Sequence, residues 1–145
     1  MCFCRTKESK VLATKRDIKV YKIGKYADND SFNPFFYKDF KYSVNQTVFE
    51  NVDFTDMIER GLHSYITCEL ASFATDINLY SGRNFLYSIS ALYTVYLGEF
   101  IIPKGATYCL NKYGEVVSDK LMYTGNYVEI TSDRIYNSKE LWKEN

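Results

Sequence analysis

Short stretches of alternating apolar and polar residues run through most of the chain, and they predict a fold rich in β-strands. In the segment 17–23, Ile18 and Val20 lie on one face of an extended strand, and Tyr21 and Ile23 lie on the other. Gly61 and Pro103 mark two of the turns between such stretches. The sheet is expected chiefly from residues 18–23, 91–102, 107–110 and 115–130, with a short strand at 62–67 and a break at Gly125–Asn126.

Two segments carry the pattern of helices instead. Residues 68–80 follow Thr67, a good helix cap, and place apolar side chains at the i, i+3, i+4, i+7 spacing: Leu70, Phe73, Ala74 and Ile77. Residues 53–60 begin at Asp53, which can cap a helix, and stop at Gly61, which can end one. We therefore expect an α+β fold, in which a mostly antiparallel sheet is covered by a main amphipathic helix (68–80) and a short helix (53–60).

The size of the chain favours a single domain. With 145 residues, of which 46% are hydrophobic, one core would bury roughly 68–70% of the surface of the unfolded chain. The expected domain spans 1–145. Residues 1–16 and 131–145 lack a clear alternation or helical spacing of apolar residues, and we expect them to be loosely docked tails.

Charge and hydropathy argue against two classes of partner. Lysine plus arginine and aspartate plus glutamate number 18 each, so no net field would attract nucleic acid broadly. Apolar runs are too short for a membrane span, and the N-terminal residues do not resemble a signal peptide. We expect a cytoplasmic protein that does not contact membranes.

Aromatic residues are abundant, with 14 tyrosines and 10 phenylalanines. They suit strands, and they also suit a recognition surface. The segment 24–45 mixes turn formers with aromatic residues, which predicts a long anchored loop and a candidate binding loop or lid.

No metal or cofactor site is expected. The four cysteines, Cys2, Cys4, Cys68 and Cys109, lack the paired spacing of structural zinc sites. Reduced, independent thiols are the interpretation that fits this spacing, and no phosphate-binding glycine loop is found.

The single histidine of the chain, His63, is followed by two hydroxyl side chains, Ser64 and Tyr65. An imidazole there could be a general base, a ligand donor or a structural hydrogen-bonding group. We expect the structural role, with His63 at the edge of the sheet and partly covered by the aromatic loop. A second group follows Pro103: Lys104 in a turn and Tyr108 on a strand. His63, Ser64, Tyr65, Lys104 and Tyr108 are the candidate ligand-binding residues, and no catalytic set can be assembled.

Three sequence motifs resemble a family of small proteins of gut Bacteroides-type bacteria and their phages. They are "GLHS" at Gly61, "IPKGATY" at Ile102 and "SDKL" at Ser118. The resemblance covers roughly residues 19–130. It implies one intact domain with His63 and the Pro103–Gly105 turn as landmarks, and it implies a place in conflict between phage and host.

A second resemblance is to the layout of ADP-ribosyltransferases. It would make Ser64 the central hydroxyl and Glu115 the late acid of an enzyme that uses NAD. The early strand carries Tyr21 and Lys22 where that family has arginine or histidine.

The sequence thus predicts a non-catalytic binding module. Its expected partner is a small phosphorylated ligand or a host protein. An ADP-ribosyltransferase-like enzyme and a structural, virion-associated protein are the alternatives.

Overall fold

A computed structural model describes residues 3–5, 9–34, 40–55, 57–58, 60–67 and 95–130 of the chain. Alternation of apolar side chains and the β-branched and aromatic content of these segments favour extended structure, and strands are what they form. In chain order the strands are β1 (Phe3–Cys4), β2 (Val11–Ala13), β3 (Ile18–Ala27), β4 (Ser31–Pro34), β5 (Tyr42–Ser43), β6 (Thr47–Phe49), β7 (Met57–Ile58), β8 (Leu62–Tyr65), β9 (Val95–Ile102), β10 (Thr107–Leu110), β11 (Glu115–Ser118) and β12 (Lys120–Ile130).

Ten of these strands form one large sheet. Along it the order is β2-β10-β11-β8-β3-β9-β12-β6, while β4 pairs with β3 and β5 pairs with β4. The named strand pairs in this sheet are antiparallel. The remaining two strands, β1 and β7, pair with each other. The three longest strands, β3, β9 and β12, are neighbours in this order.

The α+β expectation is wrong for the described part of the chain, which contains strands and no helix. The predicted helix at 53–60 is replaced by an irregular stretch and then by β7, which pairs with β1. Ile58 is buried there against Cys109 and Val117, so long-range packing outweighs the local capping signals of Asp53 and Gly61. The predicted helix at 68–80 lies outside the described residues, as does the tail at 131–145.

The sheet carries a different apolar cluster on each face. The first, which we call the main core, includes Val20 on β3, Phe100 on β9 and Tyr123 on β12, together with Phe32 and Tyr42 from the connection after β3. Phe32, Phe100 and Tyr42 meet edge to face, with ring centroids 5.0 and 4.9 Å apart, an arrangement that aromatic rings prefer. The segment 24–45, expected as a loop, thus contributes the end of β3, the strands β4 and β5, and aromatic residues of the main core.

Phe32 lies on two glycines of neighbouring strands. A Cβ carbon added to Gly24 or to Gly98 would lie 2.5 Å from an atom of the Phe32 ring. Such a distance is far inside van der Waals contact, so the ring occupies the space that two side chains would need. This close approach holds β4 against the junction of β3 and β9.

The second cluster, which we call the second core, lies on the other face of the sheet. It consists of Ile58, Cys109 and Val117, with Val52 and Phe54 packed against it. Val117 on β11 and Cys109 on β10 are directly opposed in the strand register, and opposed residues project from the same face. The stretch that follows β6 therefore covers this face of the sheet.

Residues 1–16, expected as a tail, contribute β1 and β2. Thr14, just after β2, is buried and is hydrogen-bonded to the turn between β9 and β10. Its Oγ1 donates to the Pro103 carbonyl at 2.7 Å and accepts from the Ala106 amide at 2.8 Å. Asp17 accepts a hydrogen bond from the Lys104 amide at 2.8 Å. Gly105 adopts a φ of 88°, which glycine accepts without steric cost. The Pro103–Gly105 segment is a structural turn tied to the N-terminal strands.

Strand β12 contains a bulge opposite a buried acid. Tyr123 pairs with Phe100 and Tyr127 pairs with Gly98, so residues 124–126 stand opposite Glu99 alone. The carboxylate of Glu99 accepts hydrogen bonds from Thr124 Oγ1 at 3.2 Å and Asn126 Nδ2 at 3.1 Å. Lys19 Nζ lies 3.5 Å from it. The break predicted at Gly125–Asn126 is this bulge within one continuous strand.

No helix in the described ranges is long and apolar enough to cross a membrane.

Candidate functional site

A buried lysine is the most unusual side chain of the main core face. Lys22 stands two residues after Val20 on β3, so strand alternation directs both side chains to the same face. Its partner in the register is Gly98 on β9, which is covered by the Phe32 ring. Lys22 is 8% exposed, whereas lysine is almost never buried unless its charge is compensated.

The ammonium group of Lys22 has one hydrogen-bond acceptor among the described residues. Its Nζ donates to the carbonyl oxygen of His63 on β8, and it lies 5.7 Å from the centroid of the Tyr42 ring. Burial lowers the pKa of Lys22 from 10.5 to about 8, and the carboxylate of Glu50 opposes that shift. Removal from water dominates because a carbonyl and an aromatic face replace hydration only in part.

Lys22 opens into a pocket of about 310 Å³, a volume that includes space continuous with the solvent. Three stretches of chain surround it: one before and within β5, one after β6, and one at the start of β8. Besides Lys22, the lining residues are Phe40, Tyr42, Glu50, Gly61, Leu62 and His63. We call this cavity the Lys22 pocket.

Local structure fixes each wall of the Lys22 pocket. Phe40 and Tyr42 meet edge to face with centroids 4.7 Å apart, and Tyr42 is buried in the main core. Glu50 is held through its backbone amide, which donates to the Asp119 carbonyl at 2.9 Å. Gly61 has a φ of 146°, and a Cβ there would lie 2.5 Å from the Val117 side chain, so this position requires glycine.

His63 contributes its backbone rather than its imidazole to the Lys22 pocket. Its partner in the register is Val117 of the second core, so its side chain projects from the face opposite the main core. The residue is buried, with 6% exposure. Strand β8 lies between β11 and β3, so His63 is in the interior of the sheet, and the expected place at a sheet edge is wrong.

Ser64 and Tyr65 follow His63 on β8 and project to alternate faces. Ser64 lies on the main core face, 2% exposed, and its Oγ has no hydrogen-bond partner within the part of the chain described. Tyr65 is buried and stands opposite Tyr21 on β3. Neither residue lines the Lys22 pocket, so the three adjacent candidates do not form one site.

The residues mapped from the ADP-ribosyltransferase layout also lie on different faces. Ser64 is opposed to Val116 in the register, and Glu115 is opposed to Tyr65. The hydroxyl of Ser64 and the carboxylate of Glu115 therefore project to opposite sides of the sheet. Burial raises the pKa of Glu115, while a hydrogen bond from Asn111 lowers it. The arrangement provides no common space in which these two groups could act on one substrate.

Lys104 and Tyr108, the other two candidates, are separate from the Lys22 pocket. The Lys104 side chain is exposed in the turn after β9. Tyr108 is half-buried on β10 and packs against the main core. Lys104 thus lies in a turn and Tyr108 on a strand at the margin of the main core, as expected for this segment.

No group of three or more metal-binding side chains is found among the described residues. Cys109 is a free, buried thiol, and burial raises its pKa. The side chains of Cys2, Cys4 and Cys68 lie outside the described part.

Lys22 is the site residue that sequence reasoning missed. A charged residue in a strand ordinarily marks a solvent-facing position. The signal that could have identified it is its spacing: Lys22 is two residues from Val20 and four from Ile18, so alternation places it on the same face as these two apolar residues.

Comparison of the chain with protein-family models, with curated proteins and with solved structures finds no match.

Proposed function

We propose that the chain is a non-catalytic binding module and that the Lys22 pocket captures a small ligand that carries a ring and an anionic group such as phosphate. The observation that supports this proposal is the burial of Lys22 at the wall of an open pocket. A lysine in this place reduces stability at neutral pH, because its charged form is disfavoured there. A methionine of similar length would fill the same space without that cost.

An anionic group would complete the bonding of the ammonium. A lysine ammonium has three donors, and among the residues described here one acceptor is present, the His63 carbonyl. A phosphate or carboxylate oxygen entering the pocket would supply further acceptors and an opposite charge, and charge-assisted hydrogen bonds are the strong ones. The nearby carboxylate of Glu50 favours a ligand that also offers a donor.

The aromatic wall suits a ring. Phe40 is 37% exposed and stands edge to face with Tyr42 at the pocket, so one aromatic surface is open to a ligand. Small-molecule pockets are mostly apolar with a few convergent polar groups. The 310 Å³ of the Lys22 pocket includes open solvent, so its enclosed space is much smaller than that volume, which favours a ligand that inserts only a small ring or its anionic end.

The resemblance to proteins of gut bacteria and their phages supports a biological setting for this capture. A protein that removes a nucleotide signal by binding it would act in conflict between phage and host without any chemical step. The same pocket would serve that role through affinity alone.

Isothermal titration calorimetry with inorganic phosphate and with nucleoside monophosphates tests the proposal. We expect binding at pH 7 that weakens as the pH rises well above 8, since the ammonium of Lys22 is then lost. Lys22→Met should abolish binding, and Lys104→Met, which removes a positive charge elsewhere, should leave it unchanged. Equal loss in both variants, or binding by neither wild type nor variants, would contradict the proposal.

A further inference from the structure

Three tyrosines form a row at the far end of the main core face, separate from the Lys22 pocket. Tyr26 lies near the end of β3, Tyr96 on β9 and Tyr127 on β12. Tyr96 and Tyr127 pack against the margin of the main core, and Tyr26 is 47% exposed. Phe32, above Gly24 and Gly98, stands between this tyrosine row and Lys22.

The rings of the tyrosine row are inclined to one another. The centroids of Tyr26 and Tyr96 are 6.1 Å apart with an angle of 63° between the rings, and those of Tyr96 and Tyr127 are 6.0 Å apart at 62°. In each pair the edge of one ring meets the face of the other. The negative face of an aromatic ring attracts cations.

Two carboxylates stand beside the tyrosine row. Asp28 Oδ2 accepts a hydrogen bond from the Tyr26 hydroxyl at 2.8 Å, and its Oδ1 accepts from the backbone amides of Asp30 at 2.8 Å and Ser31 at 2.7 Å. Glu129 is exposed and directly opposite Tyr96 in the register. A phenol that donates to a carboxylate gains electron density in its ring, which strengthens its attraction for a cation.

These groups lie close enough to act on one another electrostatically. Burial, the Glu129 carboxylate and the Tyr127 hydroxyl all raise the pKa of Tyr96. The hydrogen bond and charge of Asp28 raise the pKa of Tyr26. The surface thus combines aromatic faces with negative charge.

We propose that Tyr26, Tyr96 and Tyr127, with the carboxylates of Asp28 and Glu129, form a docking surface for a basic segment of a protein partner, with an arginine side chain lying against the rings. Charge complementarity favours a cation, since two carboxylates adjoin three aromatic rings. The exposed position of Tyr26 favours an extended segment, which can place a guanidinium on the rings and neighbouring cations near the carboxylates. Arginine stacks on aromatic faces and pairs with carboxylates through its planar group of donors.

Fluorescence polarisation with a labelled short arginine-rich peptide tests this docking surface. We expect binding that weakens as salt is added, because part of the attraction is between exposed charges. Tyr96→Leu and Tyr127→Leu should each weaken binding by about two- to fivefold, as expected for one exposed cation–π contact. Tyr96→Phe should retain binding, since the ring remains, and Glu129→Gln should weaken it.

Tyr113→Leu is the matched control. Tyr113 is 52% exposed, and Lys112 Nζ lies 5.1 Å from the centroid of its ring, so this tyrosine has an aromatic face already covered by a cation of the chain. Equal weakening by Tyr113→Leu and Tyr96→Leu would show nonspecific attraction and overturn the proposal. Absence of peptide binding would do the same. Circular dichroism of each variant would establish that it is folded.

Two further probes distinguish a peptide-docking surface from a small-cation site and from unselective peptide binding. A glutamate-rich peptide of equal length should not bind, and its binding would contradict the charge argument. Tetramethylammonium chloride should compete with the arginine-rich peptide at high concentration; if it bound tightly while the peptide did not, the rings would be a small-cation site and the docking proposal would be wrong. Lys22→Met should bind the peptide like the wild type, which keeps this test independent of the Lys22 pocket.

Discussion

Lys22 is a residue whose effect on stability is opposite to that of the core residues around it. Its pKa in the folded chain, about 8, lies below the ordinary value of 10.5. Below pH 8 both the folded and the unfolded chain carry the charge, and the folded state bears the full cost of burying it. Between about pH 8 and 10.5 the unfolded chain binds more protons, so the contribution of Lys22 to stability rises with pH.

We therefore predict that Lys22→Met increases the free energy of unfolding at pH 7 by up to about 3 kcal/mol, the equivalent of the pKa shift. The advantage over the wild type should shrink as the pH approaches 10.5. Urea denaturation of both proteins at pH 7 and pH 10 measures this difference. A variant that is less stable at both pH values would mean that Lys22 stabilises the fold.

His63 gives the converse prediction at the same scale. It is buried on the face of the second core, where loss of its polar contacts and volume cannot be repaired by water. We expect His63→Ala to lower the free energy of unfolding by about 1–3 kcal/mol. Ligand binding by the folded variant should persist, because the Lys22 pocket uses the His63 carbonyl. Loss of binding with unchanged stability would show that the imidazole acts on the ligand.

Residue types alone could not have distinguished these two positions. A single histidine attracts interest because its pKa is near neutrality, yet its side chain is packed in the sheet. A lysine in a strand is common, and its burial depends on which strands lie above it. Those neighbours are distant in sequence: Tyr42 and His63 approach Lys22 only in the folded sheet. The alternation of Ile18, Val20 and Lys22 was the one local signal.

At the scale of elements, the contact of β4 with β3 and β9 depends on two glycines, Gly24 and Gly98, over which Phe32 packs. Gly98→Ala would place a carbon 2.5 Å from the Phe32 ring, so either the ring or the strand must move. We predict a loss of about 1–3 kcal/mol in the free energy of unfolding, the usual cost of overpacking. Urea denaturation of Gly98→Ala measures it.

The Phe32→Leu background supplies the control for that prediction. Leucine at position 32 is smaller than phenylalanine and relieves the clash, so Gly98→Ala should cost less in this background. A double-mutant cycle gives the coupling energy between the two positions. Equal effects in both backgrounds would place the cost in the backbone of β9 and not in the ring contact.

The turn between β9 and β10 depends on a residue near the N-terminus. Thr14 Oγ1 both donates to and accepts from the backbone of that turn. We predict that Thr14→Val, which keeps the shape and removes the hydroxyl, lowers the free energy of unfolding by about 1–3 kcal/mol through orphaned backbone groups. Thermal denaturation measures the loss. Thr107→Val, half-buried on the following strand, is the control, and an equal loss there would contradict a special role for Thr14.

Local patterns predicted the longer strands of the described part, such as β3 and β9, and failed for the short strand β7 within 53–60. The predicted strand 107–110 agrees with β10, and the predicted stretch 115–130 begins where β11 begins, because glycine turns at Gly105 and Gly114, each with positive φ, precede them. The helix predicted at 53–60 is wrong because its capping signals were local, whereas Ile58 is held by Cys109 and Val117 from strands about fifty residues away. Pairing of β1 with β7 had no sequence signal of its own.

At the scale of the whole molecule, the strands at the ends of the main order, β2 and β6, have three residues each. Only Lys120–Met122 of the long strand β12 pair with β6 in the part of the chain described. An antiparallel sheet was predictable from the alternation in the C-terminal half, but the order of its strands was not, since β3 is central and β8 enters between β3 and β11.

The pairing of β2 with β10 also has a kinetic consequence. Thr14 and Ala106 are joined by a backbone hydrogen bond across 92 residues of chain, and β3 must wait for β9 before its long register can form. Closing such large loops costs chain entropy before any stabilising contact forms. Sheets with such distant pairings therefore refold slowly, in milliseconds to seconds. A ribosome making this protein would release the first strands long before their partners exist, so the nascent chain would hold the apolar residues of β3 exposed and would be a natural client for a holding chaperone until β9 emerges.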